Sequence, residues 1–387
     1  MRKFVCTLAS VVFSASTAFA AEAPFKIGVV IPFSGAFGIL GQNTKRGIEL
    51  AIEDHGGKIL GRTIEVAWED SETKPQVAVQ KTSKILASGI DTLFGAASSA
   101  ETIAMIPLAA QAKVPHIVTM SADDRITGSN KTRYTFRTSN NLGMENVLVA
   151  AQIKNGKMKK VYGVASDVGV TRESWNNIRD DVAKAGVQIA GEDFPPMGSK
   201  DYSIIVDKAL RSGADAVVFV GAGNDAVGFL KQAHEVGLTK KAQILGPVLI
   251  DDTVAKAVGP ASEGVMSALR YHASLDNAAN KRFVEAYRKK FGELPDMVAG
   301  EAYDGMAWWF DVIEKTGGTD KEKWITAFEQ SVRTNSVEGT KTMRICDHQA
   351  EQIGIWGRGS KVGSGAGDYA MVVTQILPSA GLFAPCK

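Results

Sequence analysis

From residue 26 onward, short apolar strand patterns alternate with helical patterns, and near residue 140 the alternation starts again. "KIGVVI" (26–31) reads as a buried strand, and the next helix, about 42–55, places Ile48, Ala51, Ile52 and His55 on one face. In "TIEVAWED" Ile64, Val66 and Trp68 alternate with Glu65 and Glu69, the period of a strand with two unlike faces. Pro75 stands where a helix starts, because a first helical position has no use for a backbone N–H. "DTLFGA" and "VPHIVTM" are further strands, with a helix over 99–112 between them. This βαβα order predicts a mainly parallel sheet covered by helices on both faces.

After "YTFRTSNN" a helix is expected at 142–155, followed by strands "KVYGVAS", "VQIAGED", "DAVVFVG", "AQILGP" and "GVMSALR". Helices near 172–185, 201–212, 224–237 and 251–258 separate them. Further helices follow at 276–291, 298–316 and 321–332, and the stretch from "VEGTKTMRICDH" to "MVVTQIL" is β-rich. The expected architecture is two α/β units in series.

The first residues stand apart. "MRK" is a basic start, an apolar stretch follows, and Ala18-Phe19-Ala20 forms a cleavage site. This reads as a secretory signal peptide over 1–20, cut after Ala20, and predicts a soluble exported protein. Cleavage leaves 387 − 20 = 367 residues, and loss of Arg2 and Lys3 takes the formal charge from +2 to 0. With no Lys/Arg cluster, nucleic acid is not an expected partner. Cys346 and Cys386 remain in the exported chain. In an oxidising space a disulfide is expected between them, two buried thiols being the alternative.

Chemistry-bearing motifs are missing. His55, His116, His234, His272 and His348 form no H-E-x-x-H or other recognised metal spacing, and there is no C-x-x-C. The glycines of "SGAFGILG" lack the start of a dinucleotide fingerprint, and "GAASSAE" is not a serine-hydrolase elbow. No cofactor and no metal are expected, and nothing points to an enzyme. Ser98-Ser99 nonetheless stand at a strand's carboxyl end and a helix's start. Open backbone N–H groups, the helix dipole and two hydroxyls together suit a carboxylate ligand. Plain helix capping is the alternative.

Across nearly all of the mature chain the sequence resembles the periplasmic solute-binding proteins of branched-chain amino acid ABC importers. The resemblance rests on "KIGVVIPFSGAFGILGQNTKRGIELAIED", "LFGAASSAETIAMIPLAAQAKVPHIV", "YTFRTS", "FLKQAHEVGL" followed by "ILGP", and "GEAYDGMAWWFDVIEKTGG", in the family's order. It implies two Rossmann-like lobes joined by three crossovers that close like a hinge on a solute, the type I periplasmic binding protein fold. The implied lobes are 21–139 plus 272–333 and 140–271 plus 334–387, with crossings near Thr138–Asn141, Leu269–His272 and Ser331–Gly339. The implied partners are a small carboxylate-bearing solute and an inner-membrane permease and ATPase; a periplasmic monomer is expected. A sensory ligand-binding protein would share the same lobes.

The family holds its amino acid's carboxylate with a serine that matches Ser99, next to Ser98, and with a loop matching Ser121, Ala122 and Asp123. Ala122 stands where the family often has Thr, so a hydroxyl is missing there unless Ser121 substitutes. Leu40 matches a residue covering the ligand's apolar part, and Tyr303 a cleft-facing aromatic. Trp308 and Trp309 are expected in helix packing. On the second lobe the pattern departs. Val248 occupies the place of the acid that pairs with the ligand's ammonium, and Thr171 and Gly223 replace aromatic bulk. An amino acid remains a candidate if Asp123, Asp225 or Asp251 replaces that acid. An aromatic or other organic acid without an α-ammonium is the other candidate.

Overall fold

The computed structural model describes residues 23–35, 37–365, 367–383 and 385. The signal segment 1–20 and Cys386 lie outside the described residues. In the first sheet β1 (Phe25–Ile31) pairs in parallel with β3 (Arg62–Asp70) on one side and β4 (Thr92–Gly95) on the other. β5 (His116–Val118) and β6 (Thr135–Arg137) continue in parallel beyond β4, and the short β2 (Lys58–Ile59) closes the far edge antiparallel to β3. Burial follows sequence character: β1 is almost wholly enclosed, while β3 alternates half-buried and exposed positions.

The second sheet repeats this order. β7 (Lys160–Ala165) lies between β8 (Gln188–Asp193) and β9 (Ala216–Val220), and β10 (Gln243–Pro247) and β11 (Met266–Leu269) follow in parallel. Its outer edge differs: β15 (Gly354–Lys361) and β16 (Tyr369–Leu377) add as an antiparallel pair beside β11. Eleven helices cover the sheets among the described residues: α1 (Gly38–Asp54), α2 (Pro75–Ala87), α3 (Ser99–Ala112), α4 (Leu142–Asn155), α5 (Gly169–Lys184), α6 (Ser203–Arg211), α7 (Asn224–Glu235), α8 (Asp252–Val258), α9 (Ala278–Phe291), α10 (Met297–Thr316) and α11 (Lys321–Glu329). Pro75 is the first residue of α2, as its missing N–H favours. α1 starts four residues before the expected 42, because the small residues of "GILG" hide its periodicity. A Cβ on Gly41 would lie 1.6 Å from the Pro32 carbonyl oxygen, so only glycine fits there.

One boundary differs from expectation. β12 (Val332–Arg333), β13 (Lys341–Met343) and β14 (Ala350–Glu351) form a small sheet, and its last two strands, expected in the second lobe, pack on the first. Met343 and Ala350 share an apolar cluster with Phe25, Ile27, Phe136 and Phe328. The Arg137 N–H donates to the His348 carbonyl at 2.9 Å, and the His348 ring stacks on Phe136 with centroids 4.1 Å apart. The chain therefore crosses to the second sheet between Glu351 and Gly354, not at 331–339. Its strands are too short and polar for their sheet partners to be read from periodicity.

α10 ties the crossings together. Ala302, Met306, Trp309, Phe310 and Ile313 fill the first core with β1. Trp308 and Trp309 are packing residues, and the Trp309 indole N–H donates to Thr92 Oγ1 at 2.9 Å. The glycines of "GEAYDG" meet the crossing strands. A Cβ on Gly300 would lie 2.6 Å from the Tyr271 ring, and one on Gly305 would lie 2.4 Å from Thr138 Oγ1. Asp304 reaches the third segment, accepting from Arg333 Nε at 2.9 Å, Ser336 Oγ at 2.9 Å and the Val337 N–H at 3.1 Å.

Candidate functional site

In each sheet the strand order reverses beside the first strand of the unit, between β1 and β4 and again between β7 and β9. Open α/β sheets bind ligands in the crevice outside the carboxyl ends of strands at such switch points. The loops and helix starts there carry Leu40 after β1, Ser98 and Ser99 after β4, Thr171 after β7 and Gly223 after β9. The two edges approach each other: Asp123 and Asp124 line one small cavity with Leu142, Val170 and Glu173. A larger concavity, of about 250 Å³, is lined by Lys240, Lys241, Gln243 and Glu263. It lies at the amino ends of β10 and β11, the wrong end of the sheet for a ligand of this fold.

Ser98 and Ser99 divide the work at the head of α3. Ser98 is the cap: its Oγ accepts from the Glu101 N–H at 3.4 Å, and the Glu101 carboxylate accepts from the Ser98 N–H at 3.2 Å. Ser99 is half-buried and its Oγ accepts from the Asp123 N–H at 3.3 Å. The Ser99 hydroxyl hydrogen has no acceptor among the described residues, and the Ser99 and Ala100 N–H groups open the helix.

Ser121 does not supply the missing hydroxyl. It is buried, and its Oγ lies 2.9 Å from the Ala96 carbonyl, 3.2 Å from that of Ala97 and 2.7 Å from Thr102 Oγ1. That hydroxyl ties the loop after β5 to the loop after β4. Ala122 beside it is half-buried. Asp123 is buried and bound by Arg125, whose Nε lies 3.0 Å from Oδ1 and whose backbone N–H donates to the same oxygen at 2.9 Å. Burial alone would raise the Asp123 pKa, but the Arg125 guanidinium holds it below the usual range.

The other two aspartates are also engaged. Asp225 accepts from Ser166 Oγ and from the Gly198 N–H, both at 2.9 Å. Asp251 caps α8 by accepting from the Val254 N–H at 2.8 Å, and burial raises its pKa. Thr171 turns its hydroxyl back onto the Ser166 and Val168 carbonyls. Gly223, at φ 58°, is exposed, and a Cβ there would meet nothing. Val248 is half-buried at φ 45°, a left-handed conformation that a β-branched residue rarely takes. Such strain costs of the order of 1–3 kcal/mol and clusters at functional sites.

Tyr303 is not a cleft residue. Its hydroxyl donates to Asp54 Oδ2 at 2.6 Å, at the far end of α1, and its ring stacks on Phe283 at 4.3 Å. A separate apolar wall joins the starts of α1 and α10 to the loops after β4 and β5. Leu40 packs with Phe37, Ala97, Met120, Met297 and Val298. Beside Met120 lies a buried charged group that motif reading missed. Arg270 Nη1 donates to the Met120 carbonyl at 2.7 Å, and Arg270 Nε to Glu145 Oε1 at 2.5 Å. Glu301 lies near Arg270, and burial pushes its carboxyl well above the usual range. The signal available in sequence was "ALRY" and "GEAYDG", charged residues inside otherwise apolar or small runs.

Two like lobes, three crossings and a ligand crevice at paired switch points define a type I periplasmic binding protein. The family of periplasmic binding proteins matches residues 24–356, and the chain belongs to it. Leu/Ile/Val-binding protein homolog 6 of Brucella melitensis is 31% identical over 326 residues, covering 82% of this chain and 83% of that protein. A solute-binding protein of an ABC transporter from Rhodopseudomonas palustris BisB5, solved with 3,4-dihydroxybenzoic acid, superposes with a TM-score of 0.84. It is 26% identical, with 92% of this chain and 98% of that one covered. A leucine-binding protein from Thermotoga maritima shares the fold, with a TM-score of 0.81 at 21% identity over 91% of this chain and 98% of that one. This chain is thus a periplasmic solute-binding component of an ABC importer, working with a permease and an ATPase. Among the described residues no helix is long and apolar enough to cross a membrane.

Proposed function

We propose that the solute is a small carboxylate without a required α-ammonium, best represented by an aromatic acid. The observation that carries this reading is the state of the acids. Asp123, Asp225 and Asp251 each already serve protein donors, and Val248 stands where the ammonium's partner would be. An ammonium buried without an acid would cost several kcal/mol. The carboxylate end is intact: the Ser99 hydroxyl and the first N–H groups of α3 would bind it, while Leu40, Met120 and Val298 cover the ring. The ligand of the Rhodopseudomonas protein supports the same class. An amino acid is the second reading. The Brucella relative's name favours it, as does the nearness of Asp251 to Asp296, whose pKa burial pushes up to about 6. Calorimetry with leucine, phenylalanine, benzoate and 4-hydroxycinnamate separates the two. Aromatic acids are expected to bind at least as tightly as leucine. Micromolar binding of an amino acid that is lost when its amine is removed would overturn the proposal.

The exported form is proposed to begin after Ala20, to leave through the Sec pathway and to act as a periplasmic monomer. Its moving bodies are proposed as 23–139 with 272–351, against 140–271 with the chain from 352 onward. A Cys346–Cys386 disulfide is proposed to pin the tail. Phe383 lies under the Arg344 guanidinium at 5.8 Å, and Arg344 Nη2 is 3.7 Å from the Cys346 sulfur, so the tail runs beside Cys346. The bridge would close a loop of about forty residues, worth roughly 4 kcal/mol in the chain-entropy view. Peptide mapping without reduction should recover the linked pair; two alkylatable thiols in periplasmic protein would refute it.

A further inference from the structure

We propose that Glu301, beside Arg270, is a specificity-determining residue at the hinge end of the crevice and accepts a hydrogen bond from a hydroxyl group on the solute. The inference rests on the aromatic-carboxylate reading and adds a second polar contact opposite the Ser99 end.

Glu301 lies three and four residues beyond Val298 and Met297 on α10, so it shares their helix face one turn further in. Those two residues belong to the apolar wall with Leu40, Ala97 and Met120. Arg270 grips the Met120 carbonyl from behind that wall at 2.7 Å and interacts electrostatically with Glu301. Through the Met120 carbonyl, Arg270 thus links Glu301 to the back of the wall that Ala97, Met120 and Val298 form.

Glu301 is 1% exposed, yet neither of its carboxyl oxygens has a hydrogen-bond partner among the described residues. Buried polar groups are almost always satisfied, and leaving one unsatisfied is costly. The surrounding groups do not relieve it. Arg270 is committed to Glu145 and Met120, and Asp304 and Glu338 both pair with Lys341. An apolar α10 face would have served packing alone. A carboxyl at this place suits a solute that carries its own carboxylate at one end and an O–H donor at the other. Such donor contacts discriminate strongly, because the analogue lacking the donor leaves the buried acceptor unpaired.

Calorimetry on the mature chain tests this with benzoate, 3-hydroxybenzoate, 4-hydroxybenzoate and 4-methoxybenzoate, and with leucine as a control. At least one hydroxybenzoate should bind about tenfold or more tightly than benzoate, and the methoxy compound should lose the gain. In Glu301→Leu, or in Glu301→Ala if the leucine variant does not fold, the preference for the hydroxybenzoate over benzoate should fall to within about twofold. Equal affinity of the wild-type chain for benzoate and both hydroxybenzoates overturns the assignment of Glu301 and leaves the aromatic-acid reading standing. So does a preference unchanged in the variant, which would leave only a water-satisfied buried carboxyl. Binding of leucine with no binding of any benzoate overturns both.

Discussion

Ser98 and Ser99 are adjacent, chemically identical and differently employed. Capping and ligand binding are both legible in "GAASSAE", but the assignment of one role to each serine is not. It depends on where the helix begins, since one residue's rotation about the axis turns a hydroxyl from the Glu101 N–H to the crevice. Ser98→Ala should lower the stability of the ligand-free protein by about 1 kcal/mol, as loss of a cap does. Ser99→Ala should instead weaken carboxylate binding by roughly 1.5–3 kcal/mol, the range for a hydrogen bond to a charged group, with much less effect on unfolding. Denaturant unfolding and calorimetry on both variants give the answer; equal stability losses with unchanged affinity would make both serines caps. Ser121 illustrates the opposite limit. Its identity suggests a ligand contact, whereas its neighbours' carbonyls take the hydroxyl first.

At the scale of elements, α10 carries the most. Its helical span and the packing role of its tryptophans are plain in sequence, with the expected 298–316 against Met297–Thr316 found. The direction of Tyr303 is not, because most of this helix is buried, Glu301 and Asp304 included, and burial on every side leaves little periodicity to mark its faces. The glycines carry a clearer message once the crossings are placed. Gly305→Ala would put a Cβ 2.4 Å from Thr138 Oγ1 and 2.6 Å from the Thr119 methyl, in contact with the first crossing. Overpacking of this kind costs typically 1–3 kcal/mol. Urea unfolding should show a lower midpoint at unchanged slope; an unaltered midpoint would mean that the crossing yields freely.

For the whole molecule, two lobes and three crossings predict a hinge motion about a few residues near Thr138–Asn141, Arg270–Tyr271 and Gln352–Ile353. Apolar packing runs past these crossings, since Tyr271, Phe283 and Ala299 share a cluster with Val217, Phe229 and Leu249. The motion should therefore be a closure of rigid bodies and not a loosening of either core. Small-angle scattering should give a smaller radius of gyration with saturating benzoate than without ligand; an unchanged radius would count against a hinge. The strand and helix periods by themselves determined the two α/β units, their order and the loops at the switch points, because burial of alternating elements leaves few ways to fold. Only the tertiary structure decided that the segment 341–351 returns to the first lobe, that the three aspartates are already engaged, and that Arg270 and Glu301 come together in the interior. Those facts depend on contacts between residues far apart in the chain, which local periodicity does not encode.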